Sequence, residues 1–208
     1  ITVANRYSVI DLGLNGTSYG ALLPIYSNET FKMISNGTMY SVIGKDTYRY
    51  VMASGEAFIM YNVTVSNSQE LTEVLRKMVR TDYKVDVTII NLQKNTYKVT
   101  ENFWRDAEWY YLSHLTHGTL IIHGNGSTLE DDYKHNFIGM ESGSNLIVDN
   151  LEFKKFYRVF ANSGEVYCEN CTFTENNAKF WATETQGSVI YNKNKATFKN
   201  CTFNKNDN

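Results

Sequence analysis

Three segments near the end of the chain repeat one alternation of apolar and polar positions. Residues 146–153 read Leu-Ile-Val-Asp-Asn-Leu-Glu-Phe, residues 166–173 read Val-Tyr-Cys-Glu-Asn-Cys-Thr-Phe, and residues 196–203 read Ala-Thr-Phe-Lys-Asn-Cys-Thr-Phe. They align without gaps over their whole length, although the stretches between them differ in length. On either side of the Asn the alternation has period two, as a strand with one buried face requires. A lone Asn between two short strands predicts a sharp bend, because Asn tolerates left-handed dihedrals and can bond local backbone.

Stacking the segments in parallel sets like on like. The columns are Val148, Cys168 and Phe198; Asn150, Asn170 and Asn200; Leu151, Cys171 and Cys201; and Phe153, Phe173 and Phe203. With neighbours about 4.8 Å apart, Asn amides are expected to bond along one corner and the Phe rings to stack facing the core. One such segment cannot bury its own apolar face; the segments above and below must do so. The pattern therefore predicts a mostly β chain with a right-handed parallel β-helix (a solenoid) over residues 62–208. Looser coils are read at Val87-Thr88-Ile89-Ile90-Asn91-Leu92 and from Leu120 to Gly126. Leu71, Val74, Leu75, Met78 and Val79 share one helical face, which predicts an amphipathic helix near 68–80, capped by Ser66 or Ser68 and covering the first coil.

Residues 1–61 read as a separate strand-rich region, either a small β domain or irregular early coils. Runs such as Tyr7–Ile10 and Phe58–Tyr61 are punctuated by Gly13 to Gly20, Asn36-Gly37 and Ser54-Gly55. At the other end the chain stops shortly after Phe203, with no polar helical segment to cover a last coil. The expectation is a solenoid truncated at its C-terminal end, an N-terminal fragment whose open end self-associates with another copy.

Composition narrows the function classes. Net charge is −2, with Lys and Arg scattered, so there is no basic footprint for nucleic acid. No apolar run approaches the roughly 20 residues of a membrane-spanning helix. Seven Asn open an N-x-S/T triplet: Asn15, Asn28, Asn36, Asn62, Asn125, Asn170 and Asn200. Composition alone would give about four, so the excess leans toward an exported, glycosylated protein.

Several motifs together carry a family resemblance. They are Ser66-Asn67-Ser68-Gln69-Glu70-Leu71, Thr88-Ile89-Ile90-Asn91-Leu92 with Asn95-Thr96-Tyr97, Ile121–Leu129, and two Asn-Cys-Thr-Phe-x-x-Asn units. In these the span from about Asn62 to Asn208 resembles the adhesin-like surface proteins of methanogenic archaea, and more loosely the bacterial polymorphic outer-membrane repeat proteins. The Gly-Gly-Ala-Ile turn typical of that family is matched only in part, by Gly187-Ser188-Val189-Ile190-Tyr191. The resemblance implies a cell-surface β-helix that attaches to a protein or glycan on a host or neighbouring cell.

β-Helices also include polysaccharide lyases and hydrolases, so an enzyme is the alternative. Such a site needs carboxylates converging with a base on one face. Glu130, Asp131 and Asp132 with His123 and His135 come nearest, and they read better as a solvated acidic turn. Cys168 and Cys171 have C-x₂-C spacing with Cys201 near, yet all three occupy apolar columns and read as small buried hydrophobes rather than metal ligands. A Cys171–Cys201 disulfide is geometrically allowed, but the expectation is that all three thiols are buried, reduced and metal-free. The aromatic run Phe103–Tyr111 interrupts the coil spacing and reads as an inserted loop or short helix. Its Trp104, Trp109, Tyr110 and Tyr111 are the candidate ligand-binding residues. No catalytic, cofactor-binding or metal residues are assigned and no cofactor is expected. The sequence thus points to a non-catalytic extracellular protein, with the carbohydrate-active enzyme as the rival.

Overall fold

The computed structural model describes residues 7–11, 20–24, 31–33, 38–52, 54, 56–80, 82–98, 104–106, 109–178 and 187–207. The chain divides into two compact units, residues 1–62 with 84–87, and residues 63–83 with 88–208. It is mostly β, and no helix among the described residues is long and apolar enough to cross a membrane.

In the first unit the hairpin and meander pairings among the described residues are antiparallel. Strands β1 (Tyr7–Asp11) and β2 (Gly20–Pro24) form one pair. Strands β3 (Phe31–Met33), β4 (Met39–Gly44), β5 (Thr47–Val51) and the first part of β6 (Ala57–Val65) form a meander. Tyr40 faces Tyr50, which faces Phe58, and the rings stack at 5.8 and 5.2 Å between centroids. The opposite face buries Met39, Ser41 and Val51. Asp86 closes the edge of β6, accepting from Ile59 N at 2.7 Å and donating its own N–H to Ile59 O at 2.9 Å.

The second unit opens with helix α1 (Ser68–Met78), which buries Leu71, Val74, Leu75 and Met78. Its N-cap is Asn67, not Ser66 or Ser68: Asn67 Oδ1 accepts from Glu70 N at 3.0 Å. The Glu70 carboxylate reaches back to accept from Ser66 N and Oγ, both at 2.8 Å, completing a reciprocal cap. Ser68 has a different task, its Oγ accepting from Lys98 N at 2.9 Å. The helix ends at Met78 with Val79 as C-cap.

Strands β7 (Val87–Leu92), β8 (Thr96–Lys98), β9 (Trp104–Asp106), β10 (Trp109–Leu115), β11 (Thr119–Glu130), β12 (Asn136–Met140), β13 (Asn145–Lys154), β14 (Arg158–Asn162), β15 (Glu165–Glu169), β16 (Thr172–Thr174), β17 (Ile190–Asn192), β18 (Lys195–Lys199) and β19 (Thr202–Asn204) follow. They fall into two sheets. One runs β7-β11-β13-β15-β18, with β8, β16 and β19 paired along the second half of the long strands; the other runs β9-β10-β12-β14-β17. β9 and β10 are antiparallel, so the aromatic run expected as a loop or short helix is a hairpin. From β10 to β17 the second sheet is parallel. α1 packs against β8 and β10, one strand from each sheet.

The three repeated segments pair in parallel, in the register their alignment predicts. Thr119 faces Asn145, Asn145 faces Glu165 and Glu165 faces Lys195, so the rows keep one register although each differs in length from the next. Val148 faces Cys168 and Cys168 faces Phe198. Phe153 stacks on Phe173 (5.4 Å, 7°) and Phe173 on Phe203 (5.1 Å, 12°). Phe153 and Phe173 are wholly buried, but Phe203 is 52% exposed, because no further row among the described residues covers its outer face. Phe137, Phe156 and Phe160 complete the core around Phe153.

The Asn corner bends as expected, with one correction. Asn150, Asn170 and Asn200 have φ of 49°, 54° and 53°, and Asn125 of the preceding row has 52°. That earlier corner takes three residues where the later ones take one, and a Cβ on Gly124 would run into Asn150 O. The side chains of Asn150, Asn170 and Asn200 are exposed, and no amide–amide bond joins them. The amide ladder forms instead at the last Asn of each Asn-Cys-Thr-Phe-x-x-Asn unit. Asn206 Oδ1 accepts from Asn176 N (3.1 Å) and Nδ2 (2.9 Å), while Asn176 Oδ1 accepts from Phe156 N (2.9 Å). Asn176 is fully buried, so its amide must be satisfied inside the protein, whereas a corner Asn is satisfied by water.

A second left-handed column, Lys155, Glu175 and Lys205 (φ 57°, 56°, 52°), carries no sequence signal. Row-to-row bonds hold it: Lys155 N donates to Thr174 O at 3.1 Å and Glu175 N to Asn204 O at 3.0 Å.

Candidate functional site

Because strands alternate, the residues between the buried columns of the first sheet form an outward face. In register across β11, β13, β15 and β18 stand His123, Asp149, Glu169 and Lys199, and beside them Ile121, Ile147, Tyr167 and Thr197. Acidic and basic side chains meet at the first and last of these junctions, while Asp149 faces Glu169 at the middle one. His123 Nδ1 lies 2.6 Å from Asp149 Oδ2, Lys199 Nζ 2.7 Å from Glu169 Oε1, and Lys195 Nζ 3.1 Å from Glu165 Oε2. Hydrogen bonds from Lys199 and then from the Tyr167 hydroxyl hold the Glu169 carboxyl below its ordinary pKa. Exposed pairs of this kind contribute little to stability. Between the charges runs a strip of Ile121, Ile147 and Tyr167, with Ile147 37% exposed. Nothing in the composition marks this face; only an alignment of Leu120–Ile122 on Leu146–Val148 would bring His123 beside Asp149.

The acidic turn is held closed by its own groups. Asp131 is buried, and its carboxylate accepts from Lys134 N (3.0 Å), His135 N (2.8 Å) and His135 Nδ1 (2.7 Å). Asp132 pairs with the Lys134 ammonium. Asp131, Asp132 and His135 do place ligand atoms within 4.8 Å of one another. Asp131 already spends both oxygens on the turn, however, and a lysine ammonium neutralises Asp132. Glu130 stands among Lys98, Lys154 and Lys155, and the hydrogen bond from Lys155 is the main cause holding its carboxyl below the usual range. A general acid needs the opposite shift. His123, grouped with this turn in the sequence, belongs to the outward face through Asp149.

The four candidate aromatics lie together on one hairpin. Trp104 pairs with Tyr111, and Trp109 with Asp106, across the β9–β10 hairpin, and Tyr110 faces Arg105. The side chains of Trp104, Trp109 and Tyr110 lie outside the described residues. The Tyr111 ring is buried, 7% exposed, edge-on to His114 at 6.4 Å. Among the sequons, Asn62, Asn125, Asn170 and Asn200 are exposed, the last three on left-handed corners. Asn15, Asn28 and Asn36 lie outside the described residues.

All three cysteines are free thiols. Cys168 and Cys171 are buried in the columns that sequence pattern assigned them, but Cys201 is only partly covered. Cys168 donates its hydrogen bond to Cys171 and, being buried, has its pKa pushed far up; that same bond is the main cause drawing Cys171 down. One further group lay outside sequence reasoning: the stacked row Tyr40, Tyr50 and Phe58, whose half-buried rings share one face of the first unit's meander. Its signal was the alternation Tyr48-x-Tyr50. Comparison of the chain with protein-family models, with curated proteins and with solved structures finds no match.

Proposed function

We propose that residues 62–208 form the coils of a right-handed parallel β-helix, in a non-catalytic, cell-surface, adhesin-like protein. The helix serves as a stalk or binding surface that attaches to a protein or glycan of a host or neighbouring cell. The observation that carries this reading is the like-on-like register of the rows, Phe on Phe and Asn on Asn, which is how a solenoid buries a face that no single coil can bury. The outward face adds support. Lys199 pairs with Glu169 and Lys195 with Glu165 from row to row, and the Glu169 carboxylate is held ionised, which suits a rigid spacer with a partly exposed Ile121–Ile147–Tyr167 strip better than acid–base chemistry. Exposed sequons at Asn62, Asn125, Asn170 and Asn200 support an extracellular setting.

The test sets the protein against cell-surface glycans and against polymers such as pectin and alginate in one series. Saturable retention on cells or immobilised glycans, with every polymer left at its original length, is the expected result. New reducing ends or unsaturated products would replace the adhesin with a carbohydrate-active enzyme.

A further inference from the structure

We infer that Cys171 and Cys201 form a thiol–disulfide exchange site, closed by a small disulfide oxidant of the glutathione class into a bridge that staples the last two rows. The case begins with register. Glu169 faces Lys199 and Thr172 faces Thr202, so Cys171 and Cys201 occupy equivalent places on neighbouring parallel rows. Neighbouring strands run about 4.8 Å apart, inside the roughly 4.4–6.8 Å between Cα atoms that a disulfide spans.

The two side chains also aim alike. Cys171 Sγ donates to Val148 O (3.7 Å) and Glu169 O (3.4 Å), and Cys201 Sγ to Cys168 O (3.5 Å) and Lys199 O (3.4 Å). Each thiol points back toward the row before it, so the Cys201 sulfur is directed at the row that holds Cys171. The third thiol does not compete: Cys168 faces Phe198 and is wholly buried.

Access separates the roles. Cys171 is 1% exposed and out of reach of an oxidant, whereas Cys201 is only partly covered. The Cys201 thiolate attacks the oxidant's disulfide, forming a mixed disulfide and releasing one thiol. The Cys171 sulfur then attacks the Cys201 sulfur and expels the second, which carries away the Cys171 proton. The two cysteines lose two electrons and two protons, and one oxidant becomes two thiols. The bridge ties the exposed row, Phe203 included, to the buried row beneath it.

Incubating the intact protein with oxidised glutathione, then counting thiols in denaturant and mapping peptides without reduction, tests the site. The expected result is a fall from three free thiols to one, with residues 171 and 201 joined. The Cys168→Ala variant, which removes the ambiguity between residues 168 and 171, forms the same bridge. Cys171→Ser stops at a glutathione adduct on Cys201, and Cys201→Ser takes up no oxidant. Amide exchange across residues 197–204 should slow at least tenfold in the bridged protein. Three thiols surviving oxidation, a 168–171 bridge, a dimer joined through Cys201, or unchanged amide exchange would each overturn the inference. None of these outcomes depends on what the protein binds.

Discussion

The row from Glu165 to Ala178 and the row from Lys195 to Asp207 carry the same pattern, bend at the same left-handed Asn and share one register, yet one is core and the other is surface. Val166, Cys168, Cys171, Phe173 and Asn176 are all at most 2% exposed; their counterparts Ala196, Phe198, Cys201 and Asn206 are partly open and Phe203 is half exposed. The difference teaches that a row contributes half of a burial and its neighbour the other half. Phe173 has a ring stacked on each face, while Phe203 stacks on Phe173 alone. Stability is therefore expected to grade along the stack, with the outer row opening first.

The sharpest way to break this comparison is to remove the same ring from each row. Phe173→Ala should cost about 3–5 kcal/mol, the range for a buried Phe leaving a cavity, and Phe203→Ala about 1 kcal/mol. Urea unfolding of both variants measures the pair, and equal losses would mean that the outer row is covered in solution.

The Asn ladder gives the next largest contrast. Asn176→Ala strands Phe156 N and Phe153 O, bonded to that amide at 2.9 and 3.1 Å. The loss should be about 2–4 kcal/mol, and somewhat less for Asn206→Ala, which frees Asn176 N, Asn176 Nδ2 and Phe173 O beneath a partly open row. Unfolding midpoints and the exchange rate of the Phe156 amide together separate the two cases.

The smallest expected effect concerns charge between rows. The Glu130 carboxyl, bonded to Lys155 with Lys98 and Lys154 near, has a folded pKa below its unfolded one. Its contribution is present above the unfolded pKa and is lost as pH falls through the folded value. Glu130→Gln should then lower stability slightly at neutral pH and leave it unchanged under strong acid. Denaturation midpoints across an acid series check this, and a parallel offset at every pH would assign the effect to packing instead.

Much of this was legible because stacking translates a one-dimensional repeat into columns. The alignment of residues 146–153, 166–173 and 196–203 was enough to set the parallel register, the corner at Asn150, Asn170 and Asn200, and the Phe153–Phe173 stack. Helical periodicity, applied to Leu71, Val74, Leu75 and Met78, located the helix. The column argument misjudged where the amides bond, since a left-handed corner turns its side chain to water while Asn176 points inward. Pattern reading also took Phe103–Tyr111 for an insertion without strands, because an aromatic-rich segment has no period that separates a hairpin from a packed loop.

Sequence alone determined which side chains share a column, since period two and a constant Asn leave one gapless alignment. Only the tertiary structure decided which members of a column are buried, because burial belongs to the neighbour on each side and not to the residue. It alone brought His123 to Asp149 across a row of different length from those that follow, and left Cys201 partly open above a closed Cys171. Local pattern records what a strand presents to its two faces; what meets it there depends on chain segments whose separation varies from row to row.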